Sequence, residues 1–121
     1  SATAGTNYSA PDNKTFTVTV AKGTLTATAT ALNGTYSGSA QYAKIKVTKS
    51  DWDGATIVSG TTTSYGQSVT TSGVYNTNYN LKPGYTNVTS STTIYYKITG
   101  GTYYNDLTGS TTAKITQKKM C

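Results

Sequence analysis

Asp51-Trp52-Asp53-Gly54 is the one stretch of this chain in which two carboxylates stand close in sequence. Two residues apart, they share a face if the segment is extended. A carboxylate pair can divide acid and base or nucleophile roles in glycoside hydrolysis, and Asp12 and Asp106 complete the set from which such a pair would be drawn. The same Asp51 and Asp53 are the candidate ligands for calcium, which takes carboxylates and carbonyls from Gly-containing loops, although two acids fall short of an EF-hand set. The plainer reading is a turn built from Asp and Gly, anchored by Trp52. Read the other way, Trp52 is an exposed platform on which a sugar ring could stack.

A second pattern joins Tyr and Lys. In Thr92-Thr93-Ile94-Tyr95-Tyr96-Lys97-Ile98-Thr99, Ile94, Tyr96 and Ile98 fall on one strand face, and Tyr95, Lys97 and Thr99 on the other. Tyr42 to Lys49 repeats the arrangement, with Ala43, Ile45 and Val47 inward and Tyr42, Lys44 and Lys46 outward. With Lys114, these phenols and ammonium groups form a candidate ligand-binding surface: Tyr42, Lys44, Lys46, Tyr95, Lys97 and Lys114, with Trp52 as the stacking candidate. Such a surface grips glycans or anionic polymers by stacking, hydrogen bonding and charge, provided the strands are neighbours. An ordinary wet sheet face built from good strand formers has the same composition.

The missing residue types exclude much chemistry. All ten basic residues are Lys, all four acids are Asp, and the chain has no His, for a net charge of +6. Without His, a Ser or Cys nucleophile lacks its usual base, and zinc lacks its usual ligands. Neither a phosphate-cradling Gly loop nor a dinucleotide fingerprint is present. The expectation is a chain that is not an enzyme and needs no cofactor. Sequence-specific nucleic-acid reading is also disfavoured, because bidentate base contacts rely on Arg. Positive charge on an uncharged Thr, Ser, Gly, Asn and Tyr background suits anionic polymers, a membrane surface or simple solubility. The Lys-only basic set fits an AT-rich bacterial genome.

The elements that must position these residues are short strands. Thr15–Val20 alternates Phe16, Val18 and Val20 with threonines, Thr24–Ala31 alternates Leu25 and alanines with threonines, and Ser110–Gln117 places Ala113 and Ile115 on one face. Shorter strands are expected at Ala55–Val58, Ser68–Thr71, Gly73–Tyr75 and Thr102–Tyr104. Asn33-Gly34 predicts a turn, and Pro83-Gly84 predicts a type II turn. Residues 1–13 read as a loosely ordered lead-in and 14–121 as a single domain, long enough for one core that buries roughly two thirds of the unfolded surface. The eleven Tyr supply much of the large-residue packing where only 35% of residues are hydrophobic. The result is an all-β chain, expected as an antiparallel immunoglobulin-like β-sandwich of about seven to nine short strands. Leu81-Lys82-Pro83-Gly84-Tyr85, followed by a Tyr-bearing strand, resembles the turn before strand F of fibronectin-III-like and other immunoglobulin-like domains. That resemblance covers about a tenth of the chain and bears on topology only.

The function expected from these residues is that of a secreted, extracellular, non-enzymatic module of a cell surface, matrix or adhesin, binding polysaccharide, an anionic cell-envelope polymer or a protein partner. Ser1-Ala2-Thr3-Ala4-Gly5 fits a mature terminus left by signal cleavage. A cationic membrane-active toxin or antimicrobial protein is the chief alternative, with Ser59–Ser72 as its pore hairpin. A secreted inhibitor or a self-assembling structural subunit, pairing exposed edge strands between copies, is the other. Cys121, the single cysteine, is the candidate for an intermolecular disulfide in a homo-oligomer. Asn7, Asn13, Asn33 and Asn87 begin glycosylation sequons, which matter only in a eukaryotic secretory pathway.

Overall fold

The computed structural model describes residues 21–118. The lead-in 1–13, the expected strand Thr15–Val20 and Cys121 lie outside them. The described residues hold eight strands and no helix: β1 Ala27–Thr30, β2 Leu32–Thr35, β3 Lys44–Val47, β4 Ile57–Gly60, β5 Gln67–Thr70, β6 Tyr79–Asn80, β7 Thr89–Ile98 and β8 Leu107–Thr116. They form a three-stranded sheet in the order β1-β3-β6 and a five-stranded sheet in the order β2-β8-β7-β4-β5. Every pairing is antiparallel except β2 on β8, which is parallel.

Period-two alternation decides which side chains meet. Ile45 and Val47 of the smaller sheet, and Ile57, Ile94, Tyr96, Ile98 and Ala113 of the larger, enter one core with Leu25, Trp52 and Leu81. Burying each large aliphatic group in this set is worth about 1.5–3 kcal/mol. Tyr96 reaches that core over Gly109, where a Cβ would overlap its phenol, so the bulkiest inward residue of β7 is matched by the smallest residue opposite it.

Four local expectations are corrected. Asn33-Gly34 is not a turn; it lies within β2, where Gly34 pairs with Ile115 and Gln41 lies over it, leaving no space for a Cβ. Thr24–Ala31 is not one strand ending at a turn; pairing changes at Ala31, so β1 joins one sheet and β2 the other. Gly73–Tyr75 and Thr102–Tyr104 are not strands. Gly73 lies against the Trp52 ring, and Tyr104 makes only an isolated bridge to Gly23 because side chains and Gly23 claim the polar backbone of its loop. Finally, Lys82-Pro83 is cis, and Gly84 lacks the positive φ of a type II turn. Gly84 is needed because the Tyr42 ring lies on it.

That turn is fastened to the larger sheet by Ser59, the one buried polar residue among those described. Its Oγ donates to the Lys82 carbonyl and accepts from the Lys82 N–H, both at 2.8 Å. Replacing Ser59 by Ala leaves the Lys82 groups unpaired in a dry site. Urea denaturation should show Ser59→Ala destabilised by about 1–3 kcal/mol, whereas Thr112→Ala on the wet face of β8 should change stability by less than about 0.5 kcal/mol.

Candidate functional site

The Asp51–Gly54 segment docks on the Gly100–Asp106 loop, fastened by the Asp51 and Asp53 carboxylates, while the Asp106 carboxylate closes that loop on itself. Asp51 Oδ1 accepts from the Tyr104 hydroxyl at 2.5 Å, Asp53 Oδ1 accepts from Thr102 N–H at 2.7 Å, and Asp106 Oδ1 accepts from Gly100 N–H at 2.9 Å. Gly101 adopts a φ of 80° and lies so close to Asp53 that a side chain there would collide with it. Trp52 Nε1 donates to the Thr99 carbonyl at 2.6 Å, and its ring is only 8% exposed. Trp52 is thus the buried anchor of its loop, with no free face for a sugar. Asp51 and Asp53 are aimed at different partners, and no group of three or more His, Cys, Asp or Glu gathers among the described residues.

These hydrogen bonds set the local electrostatics. The Thr102 bonds hold the Asp53 carboxyl below its ordinary pKa, with Lys22 adding a smaller pull in the same direction. The Asp51 bond raises the Tyr104 phenol, because the phenolate would lose that bond and face a carboxylate. Lys22 donates to the Gly101 carbonyl at 3.1 Å, and Lys49 Nζ stands 5.9 Å from the Tyr104 ring centroid. Lys97 pairs with Asp106 at 3.8 Å across an exposed edge, a contact worth about 0–1 kcal/mol.

The Tyr and Lys residues do not form one surface. Tyr42, Lys44 and Lys46 line the outer face of the three-stranded sheet, where Lys44 is opposite Thr30 and Lys46 opposite Thr28. Tyr95, Lys97 and Lys114 line the outer face of the five-stranded sheet, across the shared core. The first trio is the tighter group. Lys44 Nζ donates to Asn80 Oδ1 and stands 6.0 Å from the Tyr42 ring centroid, and the Tyr42 ring is fixed against Gly84. No ion pair involves Lys44, Lys46, Lys82, Lys114 or Lys118 among the described residues. Sequence reasoning missed the Lys22, Lys49 and Tyr104 cluster, because those residues are brought to the aspartates by loop docking and not by strand periodicity. It also missed an open groove of about 510 Å³ between Tyr36, Asn87, Val88, Gln117 and Lys118. Asn33 and Asn87 of the expected sequons are exposed; Asn7 and Asn13 lie outside the described residues.

Asp53 and Tyr104 give opposite pH signatures. Asp53, whose pKa is lowered by folding, stabilises the fold above its unfolded pKa and loses that contribution as pH falls through its folded value. Tyr104, whose pKa is raised, stabilises the fold below its unfolded pKa and loses the contribution as pH rises from about 10 through its folded value. Absorbance titration of the phenols should therefore show one late-ionising tyrosine return towards ordinary behaviour in Asp51→Asn. Asp53→Asn should flatten the stability curve below about pH 4.

In comparisons with known proteins, the chain matches no protein family, no curated protein and no solved structure.

Proposed function

We propose that this chain is a non-enzymatic, extracellular, immunoglobulin-like β-sandwich module that binds an anionic polysaccharide or cell-envelope polymer on its Tyr42, Lys44 and Lys46 face. The observation that carries the reading is the separation of charge. The three described carboxylates are engaged within one loop cluster, whereas Lys44 and Lys46 stand in a row on a Thr-lined sheet face with no ion pair. A flat face bearing ammonium groups two residues apart suits a repeating polyanion better than a small ligand, and the Tyr42 phenol adds a stacking edge. The immunoglobulin-like assignment is supported by the strand order. The third and sixth strands pair in one sheet; the last two strands join the fourth and fifth in the other. The non-enzymatic assignment is supported by the absence of His and by carboxylates already committed to backbone and phenol donors.

Binding of this kind weakens with salt. At physiological ionic strength the double variant Lys44→Ala/Lys46→Ala should bind an immobilised polyanionic polysaccharide roughly 30-fold more weakly, taking about 1 kcal/mol per lysine near an anionic surface. Lys114→Ala, on the other sheet, should bind as the parent does. Equal loss from both variants would reduce the interaction to net charge. Leakage of dye from anionic vesicles would favour a membrane-active role for the β4–β5 hairpin instead.

A further inference from the structure

The Tyr42, Lys44 and Lys46 face repeats within itself. Lys44 stands opposite Thr30 and Lys46 opposite Thr28, so two ammonium–hydroxyl pairs follow one another along β3, and the Thr28 and Thr30 side chains are exposed. Residues opposite each other on antiparallel strands lie about 5 Å apart, and alternate residues of one strand about 6.4–6.8 Å apart. Two equal subsites in a row call for a ligand with an equal repeat. The face is also rich in donors and poor in acceptors. An ammonium group has three N–H donors and accepts nothing, so the bond from Lys44 Nζ to Asn80 Oδ1 uses one donor and takes up the amide oxygen beside it. The N–H groups of Asn80 remain. The three described carboxylates, the strongest acceptors in the chain, are all held in the loops around Asp51, Asp53 and Asp106. Hydroxyl oxygens are what the face has left to accept with.

A polysaccharide carries hydroxyl donors on its rings, and donors brought to a surface without acceptors lose hydrogen bonds that water had supplied. A phosphodiester presents acceptors only. It also carries its charge compactly, a form that a Lys ammonium meets as a point charge without the planar fork of Arg. An extended chain advances about 3.3–3.6 Å for every three backbone bonds, so a polymer with phosphodiesters six bonds apart, one for each three-carbon polyol, repeats at about 7 Å. That repeat is close to the step between Lys44 and Lys46. We propose that the polyanion taken by this face is a polyol phosphate, a chain of short polyols joined by phosphodiester bonds. Successive phosphates sit on Lys44 and Lys46, and their free oxygens accept from the Thr30 and Thr28 hydroxyls. The inference rests on the reading of this face as the binding surface and narrows the class of ligand. Single-stranded nucleic acid has phosphates too, but its bases need a row of aromatic platforms. The outward row of β3 has one aromatic ring beside it, Tyr42, and that ring is set against Gly84.

The test measures binding of the full chain, at physiological ionic strength, to an immobilised synthetic glycerol phosphate oligomer, to polygalacturonate of equal charge and to oligothymidylate of equal charge. The parent should bind the glycerol phosphate oligomer about 10-fold more tightly than either of the others. Thr28→Val/Thr30→Val keeps every charge and removes both hydroxyls from a strand that suits Val, and it should weaken glycerol phosphate binding about 5-fold. Thr112→Val, the same change on the other sheet, should bind as the parent does. Polygalacturonate bound as tightly as glycerol phosphate would overturn the inference and leave the polyanion site standing. Oligothymidylate bound as tightly would make the ligand a nucleic acid, and full glycerol phosphate binding by the double Thr variant would reduce the contact to charge; either result overturns the inference. Binding of none of the probes would remove the site and the inference together. The comparison of probes on the parent decides the matter even if the double variant fails to fold.

Discussion

One residue, Ala31, separates a strand that pairs antiparallel with β3 from a strand that pairs parallel with β8. This crossing is the constraint on which the rest depends. It ties the two sheets together covalently at their shared flank, and it places Ala27 and Ala29 on one side of the core and Leu32 on the other. It also fixes the register of the closing strand, because β2 can reach only the last four residues of β8. Among the described residues, the upstream half of the β8 edge is left without a paired strand. Natural sheets seldom leave such an edge long and flat without charge, proline or a partner to protect it. Here the exposed positions are Thr and Ser, which provide no such protection.

The second organising feature is the use of acids. A chain with ten lysines and four aspartates has few opportunities for ion pairing, and of the three described aspartates Asp51 and Asp53 pin one loop to another by hydrogen bonds while Asp106 closes the second loop on itself. A carboxylate accepting a backbone N–H stabilises a loop more reliably than a surface ion pair, since the acceptor is charged and the donor would otherwise need water. Trp52 completes the fastening from below, buried between Gly73 and the Thr99 carbonyl. The cationic character of the two outer sheet faces follows from this arrangement.

Strands whose inward residues are Ile, Val or Tyr were legible in the sequence, because period-two alternation is a strong signal when one face is fully dry. β3 and β7 show this most clearly, with Ile45, Val47, Ile94 and Ile98 all fully buried. Turn chemistry was less reliable. Asn33-Gly34 favours a hairpin locally, yet parallel pairing with Lys114 and Ile115 overrides that preference. The surface patch was the least legible part, since alternation says that Lys44 and Lys97 both face outward but not that their strands belong to different sheets. The parallel β2–β8 pair joins residues 81 apart in sequence, Leu32 to Ala113, and nothing local encodes it. The Asp51–Tyr104 and Asp53–Thr102 contacts are equally remote.

The most direct measurement of the half-covered edge is amide hydrogen exchange on the monomer, residue by residue along β8. Leu107, Gly109 and Thr111 face β7 and should exchange slowly, while Thr108 and Ser110 should exchange at rates near those of an open loop. That alternation would locate the open edge at single-residue resolution. Uniform protection from Leu107 to Thr112 in the monomer would contradict the account, because it would mean that the chain covers its own edge.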